Sequence, residues 1–321
     1  MRHSAFSKLA ERTGDPPISW LMKMTLDHPH LISLAAGFTD DWSLPIEETR
    51  ELIHELLASA RASRGALQYG STLGDPALRK RTAERLSAQD NASHGYDPSR
   101  VLITHGSQQL LYMVSECLCD PGDIVLVEDP TYFVYLGILQ SHGLRGRGIR
   151  LAEDGIDLAH LESVLESLRK SGEIARVKML YLVSYFQNPS GVTTSYAKKA
   201  AALKLLRQYE KFAGHPIFLL EDAAYRELRF SGPEMMSALA ADRRQDRVIY
   251  AGTYSKPFAT GIRVGYGLLP PSLFQAVARV KGNHDFGTAN LLQQILVSAL
   301  ESAGTPLISR CCGSVIKRRP R

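Results

Sequence analysis

A lysine, two hydroxyls and an arginine crowd into one stretch, Gly252-Thr-Tyr-Ser-Lys-Pro-Phe-Ala-Thr-Gly-Ile-Arg-Val-Gly-Tyr266. Apolar runs on either side, Val248–Gly252 and Tyr266–Leu269, predict strands, so Lys256 falls on the turn after the first of them. Thr253 and Ser255 sit beside the lysine, and Gly261 and Gly265 flank Arg263. An amine in a tight, partly desolvated turn has a lowered pKa and can form a Schiff base with a carbonyl. Hydroxyls and a guanidinium are groups that hold a phosphate. The stretch asks for a ligand with both an aldehyde and a phosphate, the description of pyridoxal 5′-phosphate.

Three other groupings carry compatible chemistry. The strand-like run Val177–Val183 ends in Tyr185-Phe-Gln-Asn-Pro-Ser-Gly-Val192. An Asn-Pro-x-Gly turn leaving a strand end is a common place for ligand groups in α/β proteins. The run Ile217–Leu220 leads into Glu221-Asp-Ala-Ala-Tyr225. A carboxylate there can face a pyridinium N–H and keep it protonated, so that the ring accepts a carbanion's electrons. Asp222 fits that task, and Tyr225 fits a hydrogen bond to a phenolic oxygen opposite Asn188. Gly106-Ser-Gln-Gln109 opens a helix after the strand Val101–Thr104. Its free N–H groups and dipole favour an anion, which makes Ser107 and Gln108 a second phosphate-holding element. Each grouping alone is also what a turn, a surface acid or a core tyrosine would show. Their order along the chain makes them specific.

Ser-Lys-x6-Arg-x-Gly, preceded by Asn-Pro-x-Gly and Asp-x-x-Tyr, resembles the fold-type I, class I/II aminotransferases, in the branch of the aminoadipate, kynurenine and valine enzymes. The resemblance covers approximately residues 30–300. It departs at Thr260, where that branch usually has proline. It implies a pyridoxal-phosphate-dependent aminotransferase that moves an amino group between an L-amino acid and a 2-oxo acid. Lys256, Asp222 and Tyr225 are then catalytic. Ser107, Gln108, Thr253, Ser255 and Arg263 hold the phosphate. Tyr132, in Asp129-Pro-Thr-Tyr132, stacks on the ring, and Asn188 meets the phenolic oxygen and the substrate. Gly37, in Ala35-Ala-Gly-Phe38, lies near the substrate carboxylate. Tyr69, in Gln68-Tyr-Gly-Ser-Thr-Leu-Gly74, reaches the partner subunit's cofactor phosphate, so the active unit is a homodimer. No metal is implied. Two other readings share these residues: a β-lyase or decarboxylase on the same cofactor, and a non-catalytic, sensor-like cofactor-binding protein.

These residues need a scaffold. From residue 100 onward strands alternate with helices, which implies right-handed crossovers and a mostly parallel sheet covered on both faces. The resemblance makes that sheet seven-stranded. No Gly-x-Gly-x-x-Gly follows the first strand, which disfavours a dinucleotide site. Residues 1–44 read as an irregular segment, with a short strand at Leu31–Ala36, contributing to a small domain and the substrate site. Residues 45–285 form the large cofactor-binding domain, which starts with a helix at Pro45. Asp75 N-caps a further helix with Pro76 at its first position. Residues 286–321 begin a C-terminal small domain. The family draws from that domain an arginine that grips the substrate carboxylate. The end of this chain, with Arg310, Lys317, Arg318, Arg319 and Arg321, lacks helical periodicity. The expectation is a truncated member with an atypical basic tail, which binds cofactor and turns over poorly.

Composition sets the remaining bounds. The chain has 321 residues, 44% hydrophobic and 22% charged, enough for a large α/β domain and a smaller one. No apolar run reaches the roughly 18 residues of a membrane span. The N-terminus lacks a signal peptide's apolar core, so a cytoplasmic location is expected. Of the four cysteines, Cys117 and Cys119 read as small buried hydrophobes in a helix. The net charge of +5 is matched by the five basic residues of the tail, which argues against nucleic acid as a partner of the body.

Overall fold

The computed structural model describes residues 5–32, 39 and 41–302. Gly37, most of the run Leu31–Ala36 and the basic tail lie outside the described residues. Eight strands form one sheet: β1 (Val101–Thr104), β2 (Ile124–Asp129), β3 (Arg145–Ala152), β4 (Gly155–Ile156), β5 (Val177–Val183), β6 (Phe218–Asp222), β7 (Val248–Thr253) and β8 (Gly265–Leu268). Their spatial order is β1-β8-β7-β6-β5-β2-β3-β4. Strands β3, β2, β5, β6 and β7 are parallel, and β8 lies antiparallel between β7 and β1. Seven of the eight are the strands of the expected sheet. The eighth, β4, folds back on the end of β3 for two residues, too short to leave a periodic pattern. Because β1 runs with β7, the C-terminal ends of β1, β2, β5, β6 and β7 share one edge of the sheet. That is where such sheets bind ligands.

Helices cover both faces. On one side lie α6 (Gly106–Leu118), α7 (Phe133–His142) and α11 (Pro271–Asp285). On the other lie α5 (Pro76–Gln89), α8 (Leu158–Lys170), α9 (Tyr196–Ala213), α10 (Ala238–Ala241) and α12 (Asn290–Ser302). Alternation along the strands divides the core between them. In β5, Met179, Tyr181 and Val183 join the α6 side, while Leu180 and Leu182 join the other. Burial on both faces explains why β5 reads as one apolar run. The cap at Asp75 forms as expected, its carboxylate accepting from the Leu78 N–H at 2.9 Å, with Pro76 in the first turn.

The N-terminal segment is more regular than its sequence suggests. It contains α1 (Lys8–Arg12) and α2 (Pro17–Asp27), where residues 1–44 read as irregular. Neither helix buries a residue fully, so no clean apolar stripe announces it. Helix α3 (Ile46–Leu57) starts after Pro45, with Glu47 and Glu48 in its first turn, and a short α4 (Ala60–Leu67) follows.

Strand β8 carries glycine where α6 comes closest. A Cβ on Gly265 would lie 2.4 Å from the backbone of Gly106 and Ser107, and one on Gly267 would lie 2.6 Å from Leu110. The start of α6 therefore rests directly on bare strand backbone. Gly265→Ala is expected to cost about 1–3 kcal/mol in denaturant unfolding, because the clash is with main chain rather than a movable side chain.

Candidate active site

A cleft opens at the C-terminal edge of the sheet. Ser107, Gln108, Tyr132, Asp222, Tyr225, Thr253, Ser255, Lys256 and Arg263 line it, together with Leu111, Val183, Ala224 and Thr260. These come from the first turn of α6, the end of β2, β5 and β6, and the turn after β7. Loops far apart in sequence thus converge because parallel strands end together.

One end of the cleft is built for an anion. Gly106 has φ +74°, and a Cβ there would sit 2.7 Å from Nη2 of Arg263. Arg263 has left-handed backbone at φ +48°, which turns its guanidinium back toward Ser255 Oγ at 3.4 Å. Thr253 shapes the turn instead: its hydroxyl donates to Val264 O at 3.4 Å and accepts from the Ser255 N–H at 3.1 Å.

Lys256 sits on that turn, its Nζ 5.9 Å from the centre of the Tyr225 ring. Burial, and then the charge of Arg263, hold its amine below the usual lysine range. That is the direction a nucleophilic amine needs. Asp222 ends β6 next to β7 and is 4% exposed. It accepts from Tyr181 OH at 2.9 Å and from the Ala224 N–H at 3.1 Å. Burial nevertheless raises its pKa to about 6, against the pull of those two bonds. Asn188 donates from Nδ2 to Tyr225 OH at 3.4 Å, so the two stand side by side. Burial raises the Tyr225 phenol, and the Asn188 bond opposes it. Tyr132 precedes α7, and burial pushes its phenol up to about 12.

The set complements pyridoxal 5′-phosphate. A helix start with Ser, Arg and Gln suits the phosphate, and a lowered amine suits the aldehyde. A buried acid held near neutrality lacks the cation that a protonated ring nitrogen would supply. Two sequence-predicted residues stand apart. Tyr69 is 83% exposed, does not line this cleft, and packs edge-on against Phe286 at 5.4 Å. Gly37 is outside the described residues. Tyr181 was not foreseen as part of the site. Its signal was available: a tyrosine inside an apolar strand needs a partner for its hydroxyl.

The family pattern described as aminotransferase class I and II matches residues 29–305. The chain belongs to this family. It is 33% identical over 291 residues to aromatic-amino-acid aminotransferase 1 of Thermococcus litoralis, covering 91% of this chain and 66% of that one. With 2-aminoadipate transaminase of Thermus thermophilus the identity is 33% over 302 residues, covering 94% and 70%. Among solved structures, kynurenine aminotransferase of Pyrococcus horikoshii, crystallised with PMP, kynurenine and its product, superposes with a TM-score of 0.86 at 30% identity. It covers 98% of this chain and 73% of that one. The chain spans 66% of the length of the first two curated relatives it matches.

The acid gives a pH test. Because burial raises Asp222, stability present below its unfolded pKa is lost as pH rises through its folded value near 6. In protein without cofactor, Asp222→Asn is expected to be more stable than wild type above pH 6, by at most about 3 kcal/mol. The two should converge near pH 4 in denaturant titrations.

Proposed function

We propose that this chain transfers an amino group between an L-amino acid and a 2-oxo acid with pyridoxal 5′-phosphate as cofactor. The observation that carries the reading is the pairing of a lowered amine, Lys256, with a buried acid, Asp222, facing one cleft from neighbouring strands. When bound, the cofactor supplies an electron sink for the pair left at a substrate Cα. The chain's own residues do the rest. Lys256 Nζ, its basicity lowered by burial, would take the proton from substrate Cα and later return one. Asp222 would face the ring nitrogen and keep its proton in place. Asn188 and Tyr225, joined to each other by a hydrogen bond, would hold the phenolic oxygen. Ser107, Gln108, Ser255 and Arg263 hold the phosphate at the start of α6, and Thr253 sets the turn that presents them. Tyr132, which lines the cleft, would cover a ring face and keep water off it. Gly37 is assigned to the substrate carboxylate.

A homodimer goes with this reading. Tyr69 and Phe286 form an exposed ring pair, and Leu67, which lines the same groove, is 66% exposed. Such exposure supports a covered face, with Tyr69 completing the partner's phosphate end. The free thiols Cys117 and Cys119 support a reducing, cytoplasmic setting.

Adding pyridoxal phosphate to the purified chain should produce a visible absorption band that borohydride fixes onto Lys256. Lys256→Ala should show no fixed band. The relatives' names make aromatic amino acids and 2-aminoadipate the donors to try first, and 2-oxoglutarate serves as the trial acceptor. No band from the wild type would overturn the reading. Light scattering should return the mass of two chains, and Tyr69→Phe should weaken cofactor binding about 10-fold, the loss of one charge-assisted hydrogen bond. A monomeric mass would remove the dimer.

A further inference from the structure

We propose that Glu128 is a positioning residue that, as an uncharged acid, clamps the loop bearing Tyr132 to the loop bearing Asn188. What those loops hold rests on the cofactor reading above; the clamp itself does not.

Strands β2 and β5 pair from Ile124 opposite Val177 to Val127 opposite Tyr181, and there the ladder stops. Beyond it the chains part, one toward Tyr132 and the other toward Asn188. At the fork the Glu128 side chain replaces the missing rung. Its Oε2 accepts from the Val183 N–H at 2.9 Å and from Gln187 Nε2 at 3.3 Å. Gln187 carries the link onward: Nε2 also donates to Pro130 O at 2.7 Å, and Oε1 accepts from the N–H and hydroxyl of Ser190 at 2.7 and 2.6 Å. One glutamine thus ties both loops together, and Glu128 orients it.

The charge state follows from the surroundings. Glu128 is 1% exposed, and its Oε1 is buried with no hydrogen-bond partner among the described residues. Ionised, that oxygen would be a buried charge without a donor, more costly than a neutral group in the same place. Val183, which Glu128 holds, is the cross-strand partner of Asp222. The titratable groups facing Glu128 are Asp222 from β6 and Tyr181 from β5, the tyrosine already donating to Asp222. Neither is a cation. Burial first, and the charge of Asp222 as well, raise the Glu128 carboxyl to about 8, although the Val183 and Gln187 bonds oppose this. A neutral Glu128 does not compete with Asp222 for a cationic ring nitrogen.

A neutral acid that accepts through one oxygen is copied by glutamine and not by alanine. The first test needs no cofactor: denaturant unfolding of wild type and Glu128→Gln from pH 5 to pH 8. Stability contributed by a raised carboxyl is lost as pH climbs toward its folded pKa, here about 8. The wild type should therefore fall steadily relative to Glu128→Gln across that range. Parallel curves would overturn the neutral clamp. The second test is pyridoxal-phosphate affinity at neutral pH. Glu128→Gln should stay within about 3-fold of wild type and Glu128→Ala should lose about 10-fold or more, as the bridge loses its anchor. Equal loss in both would overturn the proposal, since it would mean the negative charge is needed. Gln187→Ala breaks the bridge from the other side, so the comparison survives if Glu128→Ala does not fold, and retained affinity there would also overturn the clamp. A wild type that binds no cofactor sinks the proposed function alone, because the pH comparison still decides the clamp.

Discussion

Burying Asp222 is the constraint around which the site is arranged. A carboxylate at the end of an interior strand loses its water, and among the described residues two donors, Tyr181 OH and the Ala224 N–H, replace it. Two are too few to hold it in the ordinary acid range. The fold tolerates this cost because the group stands where a cation can offset it. The same desolvation, acting on Lys256 with the opposite sign, lowers the pKa of the amine. One dry cleft therefore prepares an acid and a base together. Function here draws on stability, as is usual when a site must be poised before its ligand arrives.

The anion-holding end depends on close backbone contact. Strand β8 places Gly265 against the first turn of α6, and Gly252 of β7 leaves room for the ring of Tyr266. These glycines are required by space, not by unusual dihedrals. Arg263 is the opposite case, a side chain kept although its backbone is left-handed. The strain, of order 1–3 kcal/mol, is tolerable where the flanking strands β7 and β8 fix both ends of the turn.

Much of this was legible in the sequence, for identifiable reasons. Strands buried on both faces, such as Val177–Val183, announce themselves as apolar runs. The loops after them announce themselves through Asn-Pro-x-Gly and Ser-Lys. Of the chemistry-bearing residues of those loops, Ser255 and Lys256 line the cleft, and Asn188 donates to Tyr225, which lines it too. What escaped lacks a local pattern. Helices α1 and α2 bury no stripe, and β4 spans only two residues. Tyr181 and Glu128 matter through partners on other strands, forty or more positions away in sequence, and a linear reading cannot pair them. Tyr69 could be read as a motif residue, yet within one chain it faces outward.

The place of β8 also sets an order of assembly. Its rungs to β1, from Val101 opposite Leu268 to Thr104 opposite Gly265, close most of the chain into a single loop. Closing so long a loop is entropically slow, and among the described residues β1 has no other strand beside it. As the polypeptide leaves the ribosome, β2, β5 and β6 can associate well before β8 exists. The start of α6, which hangs from β1, must wait for it. The half of the cleft lined by Tyr132, Asp222 and Tyr225 is thus available early in synthesis, and the half lined by Ser107, Ser255 and Arg263 is completed last.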